Sequence, residues 1–137
     1  MTINERVDHE LVGAATEVAR TRARGDNHTM AAAARGRDGR IVTGMNAYHF
    51  TGGPCAELVV LGAAAAQGVD DLRTIVAVGD RERGVVPPCG RCRQALLDYY
   101  PTIEVIVADG DGGELRAVPI AELLPVTYVW SDHQLED

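Results

Sequence analysis

The feature that most constrains this chain is a pair of short segments that together hold all of its cysteines. They are Cys55-Ala56-Glu57 and Pro88-Cys89-Gly90-Arg91-Cys92. The first follows Gly52-Gly53-Pro54 and opens an apolar run from Leu58 to Ala66; the second opens another from Gln94 to Leu97. This placement predicts each segment at a helix N-terminus, where the helix dipole and free backbone N–H groups favour thiolate. Cys89 and Cys92, three residues apart, can grip one ion from a single turn, and the third ligand must then come from elsewhere. Three thiolates with a nearby carboxylate make a zinc site with one coordination position unfilled. Catalytic zinc sites keep that position for water, and structural ones close it with a fourth protein ligand. Glu57, two residues beyond Cys55, can face the open position without ligating and there shuttle protons.

Other uses of these cysteines are weaker. A thioredoxin-type redox pair of Cys89 and Cys92 would normally follow a first β-strand and would leave Cys55 without a role. A structural site closed by His49 would not call for Glu57. A disulfide leaves one of three cysteines over, and no secretory leader is visible.

At 137 residues the chain is read as one domain, 1–137, long enough for a sizeable core. Apolar residues make up 46%, yet no run approaches the ~20 residues of a membrane span. With no charged segment leading into an apolar one, the expectation is a cytoplasmic protein with reduced thiols and no membrane partner. The formal net charge of -7 argues against a polynucleotide partner, which would call for basic patches. A small neutral or cationic substrate fits better.

Along the chain, Glu5 to Arg24 has amphipathic helical spacing, with Gly25 as its stop. Thr29 to Ala34 is read as a strand despite its alanines, because Asp38-Gly39 is a hairpin turn and β-branched Ile41-Val42-Thr43 follows. Residues 46–54 form a loop, and a buried helix runs from Cys55 to about Gln67. Leu72 to Gly79 is a fully buried strand, and Arg81 to Gly84 a charged loop. A helix from Gly90 to about Tyr99 stops before Pro101. Ile103 to Ala108 is a strand, 109–113 a turn, and Glu114 to Val118 a short strand. Pro119 then starts a last short helix, Ile120 to Leu124. Residues 131–137 are expected to be a disordered acidic tail. Helices alternating with buried strands predict an α/β fold: one mixed sheet with helices on both faces.

A zinc-deaminase signature places Cys or His, any residue, then Glu ahead of Pro-Cys-two residues-Cys, and this chain fills every slot in order. The stretch from Asn46 through Cys55-Ala56-Glu57 to Leu61 resembles the blasticidin S deaminase branch of the cytidine deaminase superfamily. So do Pro88 to Gln94, Glu122 to Pro125, and Tyr128-Val129-Trp130. The resemblance runs from about Asp38 to Trp130. It implies a cytidine-deaminase-like three-layer sandwich around a five-stranded mixed sheet, one zinc ion per subunit, and a homotetramer. It also implies hydrolytic deamination of the cytosine ring of a nucleoside antibiotic, conferring resistance.

The resemblance further assigns zinc to Cys55, Cys89 and Cys92, and proton transfer to Glu57. Three thiolates leave the site formally at minus one, so a donor such as Arg91 or Arg93 should hydrogen-bond a sulfur, Arg91 being the stronger candidate. Thr29, Asn46, Arg83, Tyr128 and Trp130 match substrate-contacting positions. Arg83 could pair with the substrate's carboxylate; Trp130 could close the pocket or pack between subunits. Ordinary cytidine deaminases place a ribose-holding glutamate where this chain has Tyr48, which puts the ribose grip in doubt. The rivals are a housekeeping cytidine or deoxycytidine deaminase and, from another class, a non-catalytic zinc module.

Overall fold

Ala31 to Ala34 pack on both sides of a sheet, which is why four alanines form strand rather than helix. In the computed structural model, which describes residues 7–110 and 113–133, all four are fully buried. They lie in β1 (Met30–Gly36), which is antiparallel to β2 (Ile41–Met45) on one side and to β3 (Leu72–Gly79) on the other. Next to β3 runs β5 (Glu104–Ala108), in parallel, and β6 (Leu115–Pro119) closes the edge antiparallel to β5. The order is β2-β1-β3-β5-β6, the expected five-stranded mixed sheet. A short β4 (Gly84–Val85), within and just beyond the expected charged loop, pairs with the end of β3.

One face carries α1 (His9–Arg22). Its Leu11, Ala15 and Ala19, one helical turn apart, bury against Ala31, Ala33, Val76, Val78 and Ile106. The other face carries α2 (Ala56–Ala66) and α3 (Gly90–Tyr99), packed on Ala32, Ala34, Ile75, Ala77, Val105 and Val107. Alternate strand residues thus serve opposite layers, and β1, β3 and β5 read as continuous apolar runs. Alanine keeps β1 thin enough for helices on both sides. Each fully buried Leu or Ile, such as Leu11, Leu96 or Ile106, contributes about 1.5–3 kcal/mol.

Several boundaries differ from the sequence reading. The first helix begins at His9, because the Asp8 side chain accepts the Leu11 N–H at 3.0 Å as a cap; Glu5 and Arg6 lie outside the described residues. It ends at Arg22, and Gly25 instead serves a turn closed by the Arg24–His28 bridge. Pro119 ends β6, and Ile120–Leu123 is a 3-10 turn. Residues 130–132 form another 3-10 turn that runs into the start of the expected tail, while 134–137 lie outside the described residues.

The topology gathers the site. β1 runs antiparallel to both β2 and β3, so β2 and β3 point the same way and release the chain at the same end of the sheet. Each release leads into a helix start, α2 after β2 and, through β4, α3 after β3. β1 occupies one edge of β3 along its length, while β5 and β4 share the other, at Thr74–Ile75 and Val78–Gly79 respectively. Ligand sites in open α/β sheets sit beyond strand carboxyl ends at such a parting.

Candidate active site

Cys55 and Cys89 are the residues immediately before α2 and α3, and Cys92 lies in the first turn of α3. Their sulfurs all fall within 4.8 Å of one another. Cys55 and Cys89 are 3.8 Å apart, and Cys89 and Cys92 3.5 Å. The loop into Cys55 turns tightly, with Ala47 donating its N–H to the Pro54 carbonyl at 3.1 Å. Gly53 is needed there because a β-carbon would collide with the Ala47 carbonyl.

The three thiols do not ionise alike. Burial opposes ionisation of Cys89, but the Cys92 backbone N–H, the neighbouring thiols and the Arg91 N–H bring it below the ordinary thiol value. Burial, then the Glu57 carboxylate, pushes the Cys92 thiol up. A metal ion binding here must displace that proton, so affinity will depend on pH. The donor set suits zinc: soft thiolates, close together, at two helix N-termini. Among the described residues no histidine joins the group; His49 Nδ1 is engaged with the Thr51 hydroxyl.

Among the described residues Glu57 is one of two buried charged ones, 6% exposed, in the first turn of α2. Burial raises its carboxyl above the ordinary value, partly offset by hydrogen bonds from its own backbone N–H and from Cys92. It lies in the wall of a cavity of about 260 Å³ with Cys55, Cys89, Cys92, Asn46, Tyr48, Met30 and Pro87. Arg91 Nη2 donates to the Gly53 carbonyl at 3.0 Å and lies 3.6 Å from Cys55 Sγ. Arg93 faces away, bonding the carbonyls of Pro88 at 2.8 Å and Leu123 at 3.1 Å.

The expected substrate-contacting residues separate. Asn46 Oδ1 accepts the N–H groups of Thr29 and Met30, and its Nδ2 donates to the Thr29 hydroxyl at 3.2 Å. One amide N–H of Asn46 remains for a ligand. Thr29 thus stands behind Asn46 rather than in the wall. Arg83 is not in the wall either: its Nη2 is 2.9 Å from Asp80 Oδ1 and 2.9 Å from the Thr29 carbonyl. The buried Asp80 carboxylate holds it there. Tyr128 and Trp130 are also elsewhere in this chain. Gln94 donates to the Tyr128 carbonyl at 3.1 Å and accepts from the Thr127 hydroxyl at 3.2 Å, laying the segment along α3. Trp130 lines a separate hollow with Leu97, Tyr99 and Pro101. Sequence reasoning missed Met30 and Pro87 in the wall and the Asp80 anchor; the -7 charge balance hides a single buried carboxylate.

A cavity with a buried carboxylate beside three convergent thiols, on this sheet, defines a zinc-dependent hydrolase of the deaminase type. The chain belongs to the family described by the cytidine and deoxycytidylate deaminase zinc-binding region, whose model matches residues 5–108. A blasticidin-S deaminase from Bacillus cereus is 35% identical over 130 residues, covering 88% of this chain and 91% of that protein. A cytidine deaminase from Halalkalibacterium halodurans is 32% identical over 98 residues, 70% of this chain and 74% of its own length. The crystal structure of cytidine deaminase from Mycobacterium tuberculosis superposes with a TM-score of 0.72 at 31% identity. That match spans 90% of this chain and 98% of the other. Among the described residues no helix is long and apolar enough to cross a membrane.

Proposed function

We propose that this chain hydrolytically deaminates the cytosine ring of a nucleoside or nucleoside antibiotic, replacing the C4 amino group by oxygen and releasing ammonia, with blasticidin S the first substrate to test. The observation that carries this reading is the buried Glu57 carboxylate in one cavity wall with Cys55, Cys89 and Cys92. Those three side chains would hold the ion, with Arg91 donating to the Cys55 sulfur. Zinc, when bound, supplies Lewis acidity that makes a water proton easy to remove near neutral pH. Glu57 Oε accepts that proton, delivers it to ring N3, and later helps protonate the departing amine. The remaining Asn46 N–H is available to hold the substrate, and Tyr48 stands in the same wall.

The 35% identity to a blasticidin-S deaminase over 88% of this chain supports the antibiotic. The occupied Arg83 favours the second reading, cytidine or deoxycytidine, because it removes the expected partner for a substrate carboxylate. Tyr128 and Trp130 are exposed and away from the cavity of their own chain, so any contact they make with substrate would be with that of another copy in the proposed homotetramer. Ultraviolet absorbance of blasticidin S and of cytidine, each incubated with enzyme and with Glu57→Gln, tests the reading. Loss of the cytosine band for blasticidin S alone, abolished in the variant, supports the antibiotic; fast loss for cytidine supports the second reading. No change with either, in zinc-loaded protein, overturns both.

A further inference from the structure

One peptide unit at the edge of the cavity is held at both of its polar ends. Nδ1 of His28 lies 2.8 Å from the Asn46 carbonyl, and the N–H on the far side, from Ala47, donates to the Pro54 carbonyl at 3.1 Å. A carbonyl oxygen only accepts, so Nδ1 is the donor and carries hydrogen whether the ring is neutral or charged. The ring is itself anchored. His28 is half-buried, and its N–H and carbonyl close the Arg24–His28 bridge at 3.3 and 2.9 Å. Eighteen residues separate His28 from Asn46; the antiparallel pairing of β1 with β2, Ala31 opposite Met45, sets them side by side.

Both ends of that peptide lead into the site. Asn46 lines the cavity, and Pro54, also in the wall, immediately precedes Cys55. The other bonds to Asn46 act elsewhere. The Thr29 and Met30 N–H groups hold its side-chain Oδ1, and its own N–H donates to the Met30 carbonyl at 3.1 Å. They orient the amide and the chain leaving β2. The carbonyl is held by His28. Because C=O and N–H of one planar peptide turn together, holding it also aims the Ala47 N–H at Pro54. His28 is not among the cavity's lining residues, so it acts through this peptide.

We propose that His28 is a positioning residue for the reaction: its Nδ1–H fixes the Asn46–Ala47 peptide and thereby both the Asn46 amide that meets the substrate and the loop that delivers Cys55 to the metal. The substrate half of this rests on the cytosine-deaminase reading; the metal half rests on the thiol cluster alone.

The test uses amides as partial copies of the ring. Asparagine branches at the same carbon as histidine and can place a donor where Nδ1 stands; glutamine, one carbon longer, places it near Nε2. The substrate is cytidine or blasticidin S, whichever the wild type turns over. His28→Gln and His28→Ala should raise its KM about three- to tenfold, the size of one lost neutral hydrogen bond, with kcat of the zinc-loaded enzyme nearly unchanged. Both should also weaken zinc by a similar factor in competition with a chromogenic chelator. His28→Asn should restore both values to within about twofold of wild type. A role in stability alone would instead lower the urea midpoint and leave KM and zinc affinity where they were, and that result overturns the proposal. So does an asparagine variant that behaves as the glutamine one does. If the wild type turns over no cytosine nucleoside, the deaminase reading falls, and the zinc competition decides on His28 by itself.

Discussion

Arg91 Nη2 stands 3.6 Å from Cys55 Sγ while donating to the Gly53 carbonyl two residues upstream at 3.0 Å. One guanidinium on α3 thereby fixes the loop that delivers Cys55 to the start of α2, and with a metal ion bound it would offset part of the charge of three thiolates.

Arg91→Ala should therefore lower zinc affinity about 10- to 100-fold, as loss of a partner to a metal ligand commonly does. Competition with a chromogenic chelator measures it. Arg91→Lys should recover only part, since a lysine lacks the fork that spans both acceptors. An unaltered affinity in Arg91→Ala would leave the arginine a loop anchor only.

Glu57→Gln should retain zinc and lose about 10²- to 10⁴-fold in kcat. In the wild type the basic form is the active one, and burial raises the carboxyl above its ordinary value. The acid limb of kcat/KM should accordingly rise through a pH above the usual carboxylate range. A limb at or below that range would mean a different group controls it.

Asp8 caps α1 and also receives Arg35, whose Nε lies 2.6 Å from Oδ2 and Nη2 3.1 Å from Oδ1. Asp8→Ala should cost about 1–2 kcal/mol, read as a lower urea midpoint. The Arg35 hydrogen bond, against some opposition from burial and with help from the Leu11 N–H, lowers the Asp8 carboxyl. The unfolded chain thus binds its proton at higher pH than the folded one. The stabilisation is complete above the ordinary carboxylate value of about 3.9 and fades as pH falls through the lowered one. Wild type and variant should converge in acid.

Arg93 ties α3 to the two carbonyls that flank it in space, Pro88 and Leu123. Arg93→Ala should destabilise by about 1–3 kcal/mol and speed hydrogen exchange at residues 120–124. Unchanged exchange there would show that Gln94 and the apolar contact of Leu123 suffice.

The thiol cluster was legible because its pattern is local: a thiol pair within one helical turn, and a third thiol with a Glu two residues on, each at a helix start. The layered fold was legible for the same reason, since two-residue alternation between buried faces leaves unbroken apolar runs such as Ile75 to Val78. The ends of elements were not. Asp8 capping, the 3-10 turn after Pro119, and the pairing of Val85 beside Val78 depend on what each end meets, not on its composition.

By itself the sequence determined which atoms could bind zinc and that one mixed sheet lies between helical layers, because short-range spacing and periodicity encode those things. Only the tertiary structure decided how the side chains around the site are spent. It brought Cys55 and Cys89, thirty-four residues apart, to 3.8 Å by releasing β2 and β3 at the same end of the sheet. It committed Asn46 to β1, Arg91 to Cys55 and Arg83 to Asp80. It also carried Tyr128 and Trp130 away along α3. Long polar side chains reach whichever partner the packed backbone sets within about 3 Å, and nothing in their sequence neighbours names that partner.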